Sequence, residues 1–455
     1  MWYRLHQDSG VKEPGKGMPR HLHSPHEIVD ARDPNHRQIL LDGAMEGHVL
    51  VKNTKSTLPL KTPKLLSIFG YSAKSPEIFS PVHGSEGATY KWKFGAAPVS
   101  GEEVWSGFAG KSYPQYSTIG ANGTMISGGG SGATTPAVFV SPFEALKMRA
   151  YLNGVGVTHD FESRNPVVNP VSDACLVFGN AWSSESYDRP ALRDDYTDGL
   201  IKSVADQCNK TIVILHNAGI RLVDQFFNHT NVSAIIFAHL PGQESGPALV
   251  SLLFGESNFS GKLPYTVAKN ESDYGWLLGP SYPADKYIKF PQSDFGEGPH
   301  IDYQHFDVQN KEPRYEFGFG LSYTTFNFTN LTVEQLPNAT TDEWPTSAIS
   351  AGGQTDLWDT IMNVTVTVGN TGDVAGAEVA QLYLGIPNAP AKQLRGFDKF
   401  VLAPDSSAPA VFELTRRDLS VWNTEAQKWQ LQRGKYKVHV GSSSRKLPLS
   451  KTFKI

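Results

Sequence analysis

Three apolar runs constrain the fold of this chain most: CLVF at 175–178, TIVILH at 211–216 and VSAIIFA at 232–238. Each is short, β-prone and apolar without alternation, the pattern of a strand covered on both faces. Helical stretches at 194–208 and 220–228 separate them, and 243–254 supplies a further helix. Buried strands joined through helices call for parallel pairing and right-handed crossovers, so a layered α/β sandwich with a mostly parallel sheet is expected. In such a sheet, ligands bind beyond the carboxyl ends of the strands. The stretch 174–187, ACLVFGNAWSSESY, therefore stands out, because its apolar run stops abruptly and a serine-rich loop presents one carboxylate, Glu185. The plain alternative is a solvated surface glutamate.

Upstream, KLLSIFG at 64–70 reads as another buried strand, with Gly70 and Tyr71 opening the next loop. Leu41, Ala44, Val49 and Leu50 fit a helical stripe ending at Lys52 and Asn53. Between Gly84 and Gly130 the chain is rich in Gly, Ser and aromatics and shows little periodicity. Long ordered loops in compact domains are usually functional. This one ends in SGGGSGA at 127–133, and no lysine follows Gly132, so a nucleotide-binding P-loop is not indicated. Ser131 and Gly132 instead suit a backbone that approaches a neutral ligand. The next helix starts at Pro142 behind Ser141 as N-cap. His216, Asn217 and His239 lie at strand ends and read as scaffold.

Composition shifts at 274–313, which is rich in Tyr, Pro, Gly and Asp and reads as a linker. Beyond it, 331–333, 362–368, 377–384, 410–414 and 436–440 show the two-residue period of half-buried strands, separated by turn sequences. That spacing argues for an immunoglobulin-like or fibronectin-like sandwich.

At 455 residues, with 39% hydrophobic and 11% aromatic content, the chain is long enough for two to four packed domains. A formal charge of −4 without a basic block gives no footprint for nucleic acid, and no apolar run is long enough to span a membrane. Neutral ligands such as sugars fit better. His21, His23 and His26 form an HxHxxH cluster, but no cysteine or carboxylate follows at a useful spacing, so no metal is expected. The N-terminus lacks a signal-peptide pattern, which taken alone favours the cytoplasm. Against that, Asn122, Asn209, Asn228, Asn231, Asn258, Asn270, Asn327, Asn330, Asn338 and Asn363 each open a glycosylation sequon, a density expected of a secreted parent protein. Cys175 and Cys208, both placed at the starts of predicted strands, are either one disulfide or two buried thiols.

Several longer segments carry a resemblance. GHVLVKNTKSTLPL, HLPGQESGPALVSLLFGESNFSGKLPYTVAK, FGEGPHIDYQHFD, PRYEFGFGLSYTTF, NTGDVAGAEVAQLYL and QLRGFDKF occur here in that order. They are similar to segments of fungal β-glucosidases of glycoside hydrolase family 3, and the chain resembles the C-terminal portion of such an enzyme. The resemblance implies a remnant of barrel exit and linker over 1–45, the family's C-terminal α/β sandwich over 46–285, a linker over 286–318 and a fibronectin type III-like domain over 319–455. It also implies a retaining glycosidase that releases terminal β-D-glucose from β-glucosides or cello-oligosaccharides without metal or cofactor.

Such chemistry needs two carboxylates. In the family the nucleophile is an Asp, typically within Ser-Asp-Trp, on an N-terminal (β/α)8 barrel. No Ser-Asp-Trp occurs in this sequence, so the chain is expected to be truncated, to start after that barrel and to be inactive alone. The acid/base is a Glu in a Ser-Gly-Glu-Gly-Tyr-like loop, which aligns with Glu185 and with Tyr187 as a wall beside the leaving-group sugar. Two of that loop's glycines are Ser184 and Ser186 here, where a positive φ would strain serine. Ser131 and Gly132 would rim the glucose pocket. If Glu185 were structural, the acid would be sought among Glu244, Asp188 and Asp195. The rival reading is a non-catalytic carbohydrate-binding or interaction protein built from the same two domains.

Overall fold

A computed structural model describes residues 32–75, 91–94, 97–100, 123–129, 138–185, 189–278, 284–290, 292 and 294–455. The cluster of His21, His23 and His26, together with Asn122, Ser131, Gly132, Ser186, Tyr187 and Asp188, lies outside the described residues. The chain divides into two compact units, one formed by 1–48, 60–219 and 229–254, the other by 49–59, 220–228 and 255–455.

Within the first unit, five parallel strands are β1 (Leu65–Phe69), β2 (Gly156–Asp160), β3 (Ala174–Ala181), β4 (Thr211–Asn217) and β5 (Val232–Phe237). β1 pairs with β2 on one side and with β3 on the other, and β4 and β5 follow β3 outward. Every residue of β3, β4 and β5 is buried, which explains their unbroken apolar sequences. Removing one such side chain, as in Leu176→Ala, costs about 2–5 kcal/mol.

The helices of this unit are α1 (His36–Gly47), α2 (Pro142–Asn153), α3 (Asp195–Gln207) and α4 (Ser245–Phe254). α2 opens with a capping box: Ser141 Oγ accepts from Glu144 N–H at 3.2 Å, and Glu144 Oε2 accepts from Ser141 N–H at 2.8 Å. α3 is capped by Asp194, whose carboxylate accepts from the amides of Tyr196 and Thr197 at 3.0 and 3.3 Å. Asp195 and Asp198 add negative charge to its first turn. A short antiparallel hairpin, Lys91–Phe94 with Ala97–Ser100, interrupts the long glycine-rich stretch.

Cys175 and Cys208 form a disulfide, S–S 2.09 Å, that ties β3 to the end of α3. Cys208 is the C-cap of that helix rather than the start of a strand. Two other expectations are corrected. Val49, Leu50 and Val51 do not continue the helical stripe. They form the strand Val49–Asn53, in which three consecutive apolar residues are all buried. The helix expected over 220–228 is a single turn, Asp224–Phe227, because Arg221, Leu222 and Val223 are buried in succession, which one helical face cannot achieve.

The second unit contains a sandwich of β6 (Phe326–Gln335), β7 (Thr360–Asn370), β8 (Gly376–Gly385), β9 (Gln393–Leu402), β10 (Ser407–Thr415), β11 (Lys435–Gly441) and β12 (Leu449–Lys454). One antiparallel sheet runs β6-β7-β10 and the other β9-β8-β11-β12. Their alternating apolar positions form one core, including Val364, Val366 and Val368 from β7, Leu382 and Leu384 from β8, and Val438 and Val440 from β11. The tyrosine- and proline-rich segment before the sandwich is more ordered than a linker, for it holds the helix Tyr303–Val308 capped by Asp302.

Candidate active site

The strand order β5-β4-β3-β1-β2 has a reversal between β1 and β3, since the chain leaves β1 toward one edge and returns to build the sheet toward the other. In open α/β sheets, ligands bind beyond the carboxyl ends of the strands at such a reversal. Gly70 ends β1 with φ +92°, and a Cβ there would lie 2.1 Å from the carbonyl oxygen of Phe178 in β3, so only glycine fits. The turn delivers Tyr71 and Ser72 to the edge, where the Tyr71 hydroxyl accepts from the Asn180 amide at 3.2 Å.

A buried polar network joins the strand ends at this reversal. Ser72 Oγ donates to Asn180 Oδ1. With its one proton so used, Ser72 Oγ accepts from His216 Nδ1 at 2.7 Å, which places the proton on Nδ1. His216 Nε2 lies 3.4 Å from Ser245 Oγ. Asn180 Nδ2 donates to Gly123 O at 2.9 Å, and Thr124 Oγ1 to Ser72 O at 2.8 Å. The network ties the ends of β1, β3 and β4 to the start of α4 and to the returning glycine-rich segment. His216 is fully buried, consistent with a scaffold role. Sequence reasoning missed Ser72, Thr124 and Asn180, whose only mark is polarity at the ends of apolar runs.

Glu185 follows β3 in an exposed turn. Gly129 N–H donates to Ser183 O at 2.9 Å, and Gly129 bridges Ser184 in parallel fashion. The end of the glycine-rich segment is thus laid against the loop that carries Glu185, two residues before Ser131. A Cβ on Gly129 would approach Ser184 Oγ to 2.4 Å and its Cβ to 2.7 Å, so the pairing requires glycine there. Ser184 Oγ donates to the Glu185 carbonyl at 3.2 Å, and Ser184 is not among the residues with positive φ, so the strain expected from replacing glycine does not arise at this position. Tyr187, Ser131 and Gly132 lie outside the described residues.

Of the other carboxylates, Glu244 is buried, accepts from Gln243 Nε2 at 3.0 Å and lies 3.5 Å from Arg37. Asp195 is exposed in the first turn of α3, 3.7 Å from Arg193. Among the described residues there is no group of three His, Cys, Asp or Glu side chains that could hold a metal, and no helix is long and apolar enough to cross a membrane.

Comparison with known proteins is consistent with this architecture. The model of the glycosyl hydrolase family 3 C-terminal domain matches residues 48–323, and that of a fibronectin type III-like domain matches residues 378–444. The chain is 50% identical over 454 residues to the probable beta-glucosidase M of Aspergillus niger, a match covering 100% of this chain and 56% of that protein. It is 48% identical over 456 residues to beta-glucosidase cel3A of Pyricularia oryzae, covering 100% of this chain and 57% of the relative. Among solved structures, the beta-D-glucoside glucohydrolase of Trichoderma reesei superposes with a TM-score of 0.76 at 34% identity, covering 94% of this chain and 56% of that one. A family 3 beta-glucosidase of Neurospora crassa gives 0.78 at 29% identity, covering 94% and 58%. The chain therefore spans a little over half the length of these relatives. By sequence and by fold, it belongs to glycoside hydrolase family 3, carrying that family's C-terminal domain and a fibronectin type III-like domain.

Proposed function

We propose that this chain forms the acid/base half of a retaining β-glucosidase-like active site, acting on terminal β-D-glucose of β-glucosides or cello-oligosaccharides. Glu185 protonates the departing glycosidic oxygen and later takes a proton from the attacking water. Tyr187 walls the leaving-group sugar, and Ser131 and Gly132 rim the glucose pocket. The nucleophilic carboxylate comes from a barrel segment that these 455 residues do not include; in retaining enzymes it stands about 5–5.5 Å from the acid. No metal or cofactor takes part. The observation that carries this reading is the Gly129–Ser183 pairing at the β1/β3 reversal, which holds the glycine-rich segment and the Glu185 loop together at the ligand-binding edge. The sequons favour a secreted parent.

A second reading is a non-catalytic carbohydrate-binding protein built from the same two domains. One experiment addresses both. The 455-residue chain alone should hydrolyse aryl β-glucosides no faster than its Glu185→Gln variant. Joined to a family 3 barrel upstream, it should become active. There, Glu185→Gln should slow substrates with poor leaving groups by about 10²–10⁴-fold and spare activated phenols, which depart with little protonation. Azide should restore part of the lost turnover by attacking the glycosyl-enzyme without a base. Equal loss on both substrates with no azide effect would make Glu185 structural and turn attention to Glu244, Asp188 and Asp195. A barrel-joined chain that binds sugar and never turns it over would favour the second reading.

A further inference from the structure

The second unit contains a cavity of about 460 Å³ built entirely from its own residues, between the 319–328 segment, β8 and the chain after β11. That volume lies within the range of small-molecule sites. Its wall has an uncommon chemical bias. Ser322 Oγ donates its proton to Asn258 Oδ1 at 2.9 Å, Thr324 Oγ1 to Asn370 Oδ1 at 2.7 Å, and Ser443 Oγ to Glu316 Oε1 at 2.7 Å. All three residues line the cavity. Ser443 Oγ also accepts from the Lys446 amide at 2.9 Å and Ser322 Oγ from the Thr324 amide at 3.4 Å, so with their protons committed these hydroxyls can offer a ligand only their remaining lone pairs.

Glu378 extends the same bias. The residue is buried and lines the cavity. Its Oε1 accepts from Lys262 Nζ at 2.7 Å and from Val379 N–H at 2.8 Å, while its Oε2 accepts nothing among the described residues. Lys262, itself mostly buried, neutralises the carboxylate, and the exposed Lys446 adds a single cation to the lining. The wall therefore offers acceptors, keeps one net positive charge on the exposed Lys446, and is lined by Phe319, Phe326 and Phe328. A ligand that satisfies it must offer hydroxyl donors and present apolar C–H faces to aromatic rings. A free metal ion would find one carboxylate, already paired. An anion would meet Glu378.

We infer that this cavity is a second, non-catalytic sugar site that takes a short neutral glucan through hydroxyl donors to Glu378, Ser322, Thr324 and Ser443, with its apolar face against the phenylalanines. No wall atom belongs to the Glu185 loop, so the site would stand even if Glu185 proved structural.

Calorimetric titration of the 455-residue chain with cellotriose tests it. Saturable binding with a Kd of about 1 mM is expected. Ser442→Leu should weaken it at least tenfold by filling the cavity, because Ser442 lines it and its side chain makes no hydrogen bond among the described residues. Glu378→Gln should weaken it comparably, and Glu185→Gln should leave it unchanged. Urea midpoints report whether each variant is folded. If Glu378→Gln is not, Ser442→Leu decides. Absence of saturable binding, binding unchanged in folded Ser442→Leu, or loss in Glu185→Gln alone would each overturn the inference. Glucuronate bound as tightly as cellotriose would overturn the assignment to neutral sugars.

Discussion

Gly129 donates its amide proton to the carbonyl of Ser183 at 2.9 Å, joining residues 54 positions apart in sequence and leaving no room for a side chain between the two segments. Gly129→Val would drive a branched side chain into Ser184, whose Cβ lies 2.7 Å from where a Cβ would be built, and the Glu185 loop must move to admit it. Because the contact lies in a surface loop and not in the core, the expected loss of stability is small, about 1 kcal/mol. On the proposed role of Glu185 as the acid, a displacement of about 1 Å is expected to lower turnover of the barrel-joined chain by about 10²-fold. Unfolding curves and steady-state kinetics on one preparation separate the two effects. Wild-type turnover in a folded variant would show that the pairing does not position the acid.

Much of the fold is legible in the sequence because burial leaves a strong imprint on it. CLVF lies inside β3, whose every residue is buried, and Ser141-Pro142 opens α2 with its capping box. What escapes notice is at the edges. Gly156–Asp160 is an edge strand with no regular burial alternation, and Gln393–Leu402, also at an edge, is mostly half-exposed and carries charges, so neither shows a two-residue period. The site divides in the same way. A carboxylate after a buried strand marks Glu185, whereas the β1/β3 reversal and the Gly129–Ser183 contact depend on strand order and backbone pairing, which no local pattern records.

The disulfide offers an independent check on the core of the first unit. Cys175 and Cys208 are 33 residues apart, with Cα atoms at 6.3 Å. Closing a loop of that length restricts the unfolded chain enough to stabilise the fold by about 3–4 kcal/mol. Urea unfolding of the Cys208→Ser variant, or of wild type under reductant, should show a lowered midpoint. The variant should in turn become insensitive to reductant. An unchanged midpoint would indicate that the two thiols are not bonded in solution.

The structure also separates the sequons. Asn209, Asn228, Asn270, Asn327, Asn330 and Asn338 are exposed. Asn231 donates its Nδ2 to Ala205 O at 2.9 Å, and Asn258 donates to Ala375 O at 3.2 Å while its Oδ1 accepts from Ser322 and from the Tyr323 amide. Asn363 lies in β7 between two paired neighbours. A glycan on any of these three would have to break those bonds or disturb the sheet. Mass spectrometry of the chain expressed through the secretory pathway of a fungal host, after enzymatic deglycosylation in heavy-oxygen water, should mark sites from the exposed set and none of Asn231, Asn258 and Asn363. A glycan on Asn231 or Asn363 of folded protein would contradict this reading of the surface.

His48, at the end of α1, predicts an acid limit to stability. It is fully buried, its Nδ1 donates to Ala44 O at 2.6 Å, and its Nε2 has no partner among the described residues. Burial pushes its pKa from the usual 6.5 down to about 4, opposed by the Ala44 hydrogen bond and reinforced by nearby His239. Above pH 6.5 the ring is neutral in both folded and unfolded chains and adds no pH dependence. As pH falls from 6.5 toward 4, the unfolded chain takes up a proton that the folded one refuses, and stability declines by up to about 3 kcal/mol. His48→Gln keeps an amide donor for Ala44 and removes the titration. Urea unfolding at pH 7 and pH 4.5 should therefore show wild type losing roughly 2–3 kcal/mol more than the variant. Parallel losses in the two proteins would mean that His48 is solvated or already charged in the folded state, and that other groups set the acid limit.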